Sequence, residues 1–125
     1  MRMSDLLAIH HSDVTDEYFT DERCHILELV NTADDSGMSI ARARVEPGVT
    51  TKQHRVAGTT ERYVVLEGAG RVQIEGLGEQ DVGIGDVVVI PPGVSQAITN
   101  TGAQDLIFLC ICTPRFEWGN YASLE

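Results

Sequence analysis

Short apolar or alternating segments, separated by glycines, occupy most of the chain from residue 25 onward. No long stretch keeps the 3.6-residue apolar period that is typical of an amphipathic helix. Many short strands with regularly spaced turn residues are typical of a β-sandwich or a β-barrel. The strand-like runs are residues 25–30, 38–46, 62–67, 71–76, 86–90, 96–99 and 105–113. The pattern therefore predicts an all-β protein with little helix.

Glycine and proline mark the turns between these segments. Pro47-Gly48 and Pro91-Pro92-Gly93 combine the fixed φ of proline with the positive φ that glycine tolerates. Gly68-Ala69-Gly70 predicts a hairpin between the strands on either side of it. Residues 1–24 and 114–125 lack a strand pattern. We expect them to be peripheral arms that wrap the barrel or reach a partner subunit.

Size, charge and cysteine content narrow the class of protein. A chain of 125 residues is predicted to form one domain, residues 1–125. Nine Lys plus Arg against 19 Asp plus Glu give a net charge of −10, which opposes binding to nucleic acids and to anionic membrane surfaces. No apolar run is long enough to span a membrane, and the short apolar patch before His10 is not expected to act as a secretion signal. With three cysteines, an odd number that fits reduced thiols, the expected location is cytoplasmic.

Two glycine-containing motifs at fixed spacing occupy residues 48–100. The first places a histidine and a glutamate between two glycines: Gly48, His54, Glu61 and Gly68. The second ends on an asparagine: Gly85, Pro91, Gly93 and Asn100. Through these positions the chain resembles a small single-domain cupin, and the flanking strands extend the likeness to residues 38–113. The resemblance implies a double-stranded β-helix, or jelly roll, with residues 48–100 as its motif core.

The metal site that is common among cupins is incomplete in this sequence. The family site uses three imidazoles and one carboxylate, but Val56 and Gln96 stand at two of the histidine positions. The resemblance therefore implies a reduced set of ligands, namely His54, Glu61 and Gln96, and a pocket between His54 and Gln96.

Strand geometry predicts which neighbours share that pocket. Residues two apart on a strand point to the same face of the sheet. If His54, Glu61 and Gln96 face the barrel interior, so do the residues two positions further along the chain, which are Val56, Tyr63 and Ile98. Tyr63 is therefore a second candidate for catalysis beside Glu61.

Two functional hypotheses remain open at this point. In the first, His54, Glu61 and Gln96 weakly hold one divalent ion (Zn, Ni, Fe or Mn), because nitrogen and oxygen donors suit such ions. The barrel then binds a small molecule and acts as a dioxygenase, an isomerase or a related enzyme, with Glu61 or Tyr63 moving protons. In the second, the three side chains satisfy one another's hydrogen bonds without metal, and the barrel is a ligand-binding or sensor module without catalysis.

Three further groups of residues have alternative interpretations. Arg42 and Arg44 share one face of their strand and would clamp an anionic ligand if that face were interior, although a solvated or interface position is more common. Cys110 and Cys112 share a face and are expected to be small core residues rather than ligands. His10-His11 with Asp13 lies in the amino-terminal arm, where a metal site is not expected. Exposed strand edges and the two arms predict a homodimer.

Overall fold

The computed structural model describes residues 6–125, which form eleven strands in two antiparallel sheets. The strands are β1 Tyr18–Phe19, β2 His25–Val30, β3 Ser39–Val45, β4 His54–Val56, β5 Thr60–Glu67, β6 Ala69–Ile74, β7 Gly78–Gly83, β8 Val87–Ile90, β9 Gln96–Asn100, β10 Leu106–Thr113 and β11 Tyr121–Ser123. Three single-turn 3₁₀ helices, Val14–Asp16, Ala33–Asp35 and Trp118–Asn120, are the helical elements of this part of the chain. Among residues 6–125, none of the helices has the length and apolar character needed to cross a membrane.

The two sheets pack face to face as a double-stranded β-helix. One sheet has six strands in the order β1-β2-β3-β10-β5-β8, and the other has five in the order β11-β4-β9-β6-β7. Val45 and Leu106 from the first sheet and Ile98 from the second are completely buried in one shared core. Buried apolar side chains from strands of both sheets meet between them and form this core. The predicted all-β jelly roll is confirmed.

Asn100, at the end of the second motif, has a structural role. Its buried Nδ2 donates to the carbonyl of Val45 at 2.8 Å and to that of Gln104 at 2.7 Å. Its Oδ1 accepts a hydrogen bond from the backbone of Gly102 at 2.9 Å. The side chain therefore ties the end of β9 to β3 and to the loop before β10, and its buried polar atoms are all satisfied.

At Gly68 the chain crosses from one sheet to the other, so the prediction of a hairpin at residues 68–70 is wrong. β5 pairs with β10 and β8, whereas β6 pairs with β7 and β9. Gly68 has a φ of +83°, and a Cβ at this position would lie 2.8 Å from the carbonyl oxygen of Asp105. Glycine is required here because the chain bends sharply against the backbone of another loop.

Both terminal segments carry a short strand that the sequence pattern did not predict. β1 pairs with β2 through Phe19 and His25, and β11 pairs with β4 through Ser123 and His54. Strands of two or three residues are too short to show an alternating pattern. As a result, residues from both ends of the chain lie beside the open end of the barrel, where the candidate site is found.

Candidate functional site

A cavity between the two sheets opens beside the terminal segments. Its volume is about 60 Å³. The walls are mainly apolar, and the ionisable side chains that line them are Glu22, Cys24, Glu28, His54, Glu61, Tyr63, Cys110 and Cys112. An apolar cavity with a few convergent polar groups is the usual form of a small-molecule site.

His54 is held in a single orientation by the backbone of the loop before it. The ring is buried on β4, and its Nδ1 lies 2.8 Å from the carbonyl oxygen of Lys52. Because a carbonyl only accepts hydrogen bonds, Nδ1 carries a proton and Nε2 is the nitrogen that remains for the cavity. Tyr121 stacks on the ring with a centroid distance of 5.0 Å. Nε2 lies 3.8 Å from Oε1 of Glu22.

Glu61 is a buried carboxyl group with an unused oxygen. The residue is 8% exposed, and Oε1 has no hydrogen-bond partner in the protein. The thiol of Cys112 lies 3.8 Å from Oε2. Burial raises the pKa of Glu61, and the nearby charge of Glu22 adds to this, while His54, Gln96 and Cys112 act in the opposite direction. The group therefore keeps its proton to a higher pH than an exposed glutamate does.

Tyr63 and Gln96 form a hydrogen-bonded pair between the two sheets. The hydroxyl of Tyr63 donates to Oε1 of Gln96, and both side chains are buried. Burial, followed by the charge of Glu61, raises the pKa of Tyr63 well above its ordinary value, so the phenol stays protonated. The ring of Tyr63 packs on Phe108 with a centroid distance of 4.6 Å. Gln96 lies behind the rings of Tyr63 and Phe108 and does not itself line the cavity.

The fold brings the three predicted ligand positions to one region. His54 and Gln96 are paired across β4 and β9, and Glu61 on β5 is close enough for both to lower its pKa. As predicted from strand geometry, Val56, Tyr63 and Ile98 also face inward. The oxygen of Gln96 already accepts a hydrogen bond from Tyr63 and keeps one further lone pair. Within residues 6–125, no three His, Cys, Asp or Glu side chains are grouped as metal ligands.

Glu22 is the residue of the site that the sequence reasoning missed. It lies in the tight loop between β1 and β2, where Thr20 N donates to Cys24 O at 2.9 Å and Arg23 N donates to Thr20 O at 3.1 Å. Arg23 has a φ of +72°, a left-handed conformation that is costly for a residue with a side chain. The loop directs Glu22 into the cavity mouth beside His54. The sequence offered no signal for this, because Glu22 belongs to neither motif.

All three cysteines of the chain line the cavity as free thiols. Burial raises the pKa of Cys24 and of Cys112 to about 12, and it raises that of Cys110 well above its ordinary value. A protonated thiol is a poor nucleophile and a poor metal ligand. The cysteines therefore act as small wall residues, as expected for Cys110 and Cys112.

The arginines of β3 face away from the cavity. Ser39, Ala41 and Ala43 line the cavity on the opposite face of the strand. On the outer face, Arg44 donates to Glu17 at 2.6 Å and Arg42 donates to the same carboxylate at 3.5 Å. The arginine clamp considered from the sequence is therefore not formed. The exposed His10 and His11 are likewise outside any metal-ligand group of the described residues.

The fold and motifs agree with a family assignment from the whole sequence. The sequence profile described as Cupin domain matches residues 41–112, more than half of the chain. The chain belongs to the cupin family.

Two proteins similar in sequence and one solved structure similar in fold illustrate the relationships of the chain. The chain is 31% identical over 110 residues to an uncharacterized protein of Methanocaldococcus jannaschii, covering 86% of this chain and 87% of that protein. It is 30% identical over 115 residues to the oxalate-binding protein of Thermotoga maritima, covering 84% and 92% of the two chains. Among solved structures, Streptomyces Pac13, described as a nucleoside dehydratase, aligns with a TM-score of 0.77 at 14% identity, covering 94% of this chain and 92% of that one. That last likeness is one of fold.

Proposed function

We propose that the barrel binds a small molecule and exchanges protons with it through Glu61 and His54, without requiring a metal ion. The observation that carries the proposal is the unpartnered, buried Oε1 of Glu61 in the same cavity as Nε2 of His54. A carboxyl group and an imidazole nitrogen placed in one cavity can give and take protons as general acid and general base. Two such groups in one cavity suit isomerisation or elimination on a carbonyl or hydroxyl substrate.

Tyr63 supports these groups in the proposed reaction. The hydroxyl of Tyr63 donates a hydrogen bond to Gln96. Tyr63 is therefore a positioning residue, and its ring forms the cavity wall between Glu61 and Phe108. Glu22 lies 3.8 Å from Nε2 of His54, and its carboxylate stabilises the imidazolium that forms when His54 takes a proton. The proposed cycle therefore uses four side chains, of which two move protons.

Proton exchange with solvent deuterium tests this function before the substrate is known. Ligands found by NMR screening of the chelator-treated protein are incubated with it in D₂O, and deuterium incorporated at carbon is measured. We expect Glu61→Gln and His54→Gln to slow incorporation by about 100-fold, the usual contribution of one general acid or base. Glu67→Gln, an exposed carboxylate on the same strand, is the matched control and should exchange at the wild-type rate. Incorporation that survives in both site variants would refute the proposal.

A metal-binding cupin is the second candidate, and the same unpartnered Oε1 of Glu61 favours it. His54, Glu61 and Gln96 would hold Zn, Ni, Fe or Mn, with Gln96 sharing its oxygen between the ion and Tyr63. In the experiment above, deuterium exchange that is lost on chelation and restored by one of these ions identifies this candidate. Elemental analysis of the untagged protein and of His54→Ala then assigns the ligand.

We also propose that two copies of the chain associate. β8 is at one edge of the six-stranded sheet, where the structure of residues 6–125 gives it no strand partner on its outer side. Val87 and Val89 on this strand are 56% and 58% exposed. An apolar edge strand is a natural site for pairing with a second copy.

A cytoplasmic location is proposed from the thiols. Cys24, Cys110 and Cys112 are all free and lie around one cavity. A reducing compartment keeps such a group of thiols unmodified.

A further inference from the structure

The aromatic residues of this chain are concentrated around the candidate site. The cavity is joined by a second hollow at its mouth, which shares Glu22 and Trp118 with it; we call this the mouth hollow. The cavity is lined by Tyr63, Phe108, Phe116 and Trp118. The mouth hollow is lined by Tyr18, Phe19, Trp118 and Tyr121. These residues are all of the three phenylalanines, three tyrosines and one tryptophan of the chain.

The charged side chains that line the two hollows are acidic. Glu22, Glu28 and Glu61 line the cavity, and Asp21 joins Glu22 in the mouth hollow. No lysine or arginine of residues 6–125 lines either hollow. Arg23, the closest in sequence to Glu22, is turned away toward the carbonyl of Thr50 and the side chain of Glu125.

In the metal-free barrel this distribution of charge opposes the binding of an anionic ligand. Burying a carboxylate or phosphate beside these acidic side chains, with no lysine or arginine to pair with it, costs more free energy than ligand contacts return. The oxalate-binding relative therefore does not indicate oxalate as the ligand of this chain. By contrast, a positive charge is stabilised by carboxylates and by the negative faces of aromatic rings.

We propose that the ligand is an organic cation, specifically a protonated amine, bound with its charge among the aromatic rings and its N–H directed at Oε1 of Glu61. The inference rests on the proposed function in that it places the ligand in the same cavity. Oε1 of Glu61, which also supports the proposed function, adds to the charge distribution here, since it is a buried acceptor without a donor. A protonated amine supplies that donor, and a quaternary ammonium ion does not.

Three probes of nearly equal size test the charge preference. Benzylamine, benzyl alcohol and benzoate are titrated into the chelator-treated protein, and binding is followed by calorimetry and by backbone amide shifts. We expect benzylamine to bind at least tenfold more tightly than benzyl alcohol, with shifts in β4, β5 and the β1–β2 loop, and benzoate not to bind. Equal affinity for amine and alcohol, preference for benzoate, or no binding of benzylamine would overturn the inference.

Variants show whether the carboxylates recognise the charge. Glu61→Gln is expected to remove the tenfold advantage of the amine while changing the affinity for benzyl alcohol less than twofold, and Glu67→Gln should leave both unchanged. Glu22→Gln, on a loop outside the core, is a second variant that should weaken amine binding about threefold if Glu61→Gln fails to fold. An amine affinity that is unchanged in Glu22→Gln and in any folded Glu61→Gln would overturn the inference.

The two proposals fail in distinguishable ways. Ala43→Trp fills the cavity from β3 and should abolish binding of any probe that enters the barrel. If benzyl alcohol or benzoate binds best and is blocked by Ala43→Trp, the ligand site stands and the amine inference is wrong. If benzylamine binds as expected but no bound ligand exchanges deuterium through Glu61 and His54, the amine inference stands and the proton-transfer function is wrong.

Discussion

At the scale of single residues, Glu61 links the stability of the barrel to pH. Its carboxyl group is buried with one oxygen unpartnered, and burial raises its pKa above the ordinary value of 4.5. In the unfolded chain the same group titrates near that ordinary value. The folded state therefore binds the proton more tightly than the unfolded state does, and the contribution of Glu61 to folding stability falls as the pH rises above about 4.5 until its pKa in the folded state has been passed.

Replacing this group isolates its effect on stability. In Glu61→Gln the ionisation is absent, so we expect the variant to be more stable than the wild type at pH 7.5 by about 1 kcal/mol or more. At pH 4, where the carboxyl group is protonated in both states, the gain should vanish. Urea unfolding of the metal-free protein at both values measures the difference, with Glu67→Gln as the control. A gain of equal size at both values would contradict this account.

At the scale of secondary-structure elements, motif spacing and strand alternation predict which residues face the barrel interior but not how the strands are connected. The inward faces of β4, β5 and β9 follow from residues two apart sharing a face, which placed Val56, Tyr63 and Ile98 correctly. The sequence predicts a hairpin at Gly68, whereas the chain crosses between the two sheets there. This glycine is needed for contact with a loop nearly forty residues later, and no local pattern encodes such a contact.

The residues at the centre of the site could be predicted from the sequence, but the residue at the cavity mouth could not. His54, Glu61 and Gln96 belong to the motifs. Glu22 depends on the loop between β1 and β2, whose conformation is set by backbone hydrogen bonds and by the positive φ of Arg23. The sequence around Arg23 has no glycine to indicate such a turn, so the element could be found only from the structure.

The backbone of this loop can be tested with a matched pair of substitutions. Arg23→Gly and Arg23→Ala both remove the ion pair with Glu125, but only glycine adopts the left-handed conformation without strain. We expect Arg23→Gly to be more stable than Arg23→Ala by about 1 kcal/mol, measured by urea unfolding. Alanine equal to or better than glycine would mean that residue 23 does not hold a positive φ in solution.

At the scale of the whole molecule, the two sheets differ in what they present to the outside. The six-stranded sheet ends in β8 with Val87 and Val89 exposed, while the part of its outer face near β3 carries the paired Arg42, Arg44 and Glu17. A chain with a net charge of −10 repels its own copies at long range. Association therefore depends on an apolar contact, which β8 provides.

Introducing charge on β8 tests this association. Sedimentation equilibrium should give the wild-type protein twice the 13.6 kDa mass of one chain. Val87→Lys with Val89→Lys should shift it to a single chain, because two lysines cannot be buried in an apolar contact without partners. Leu77→Lys, equally exposed at 55% in the turn between β6 and β7 of the other sheet, should leave the mass unchanged. A single-chain mass for the wild type would refute the dimer.

The position of Trp118 gives the molecule an intrinsic optical signal. It is the sole indole in the chain, and it borders both hollows at their junction, with Tyr121 and Phe116 at its edges. A molecule passing into the barrel displaces water from that ring and changes the polarity around it. Fluorescence emission from the unlabelled protein thus reports occupancy of the barrel directly, for whatever compound enters.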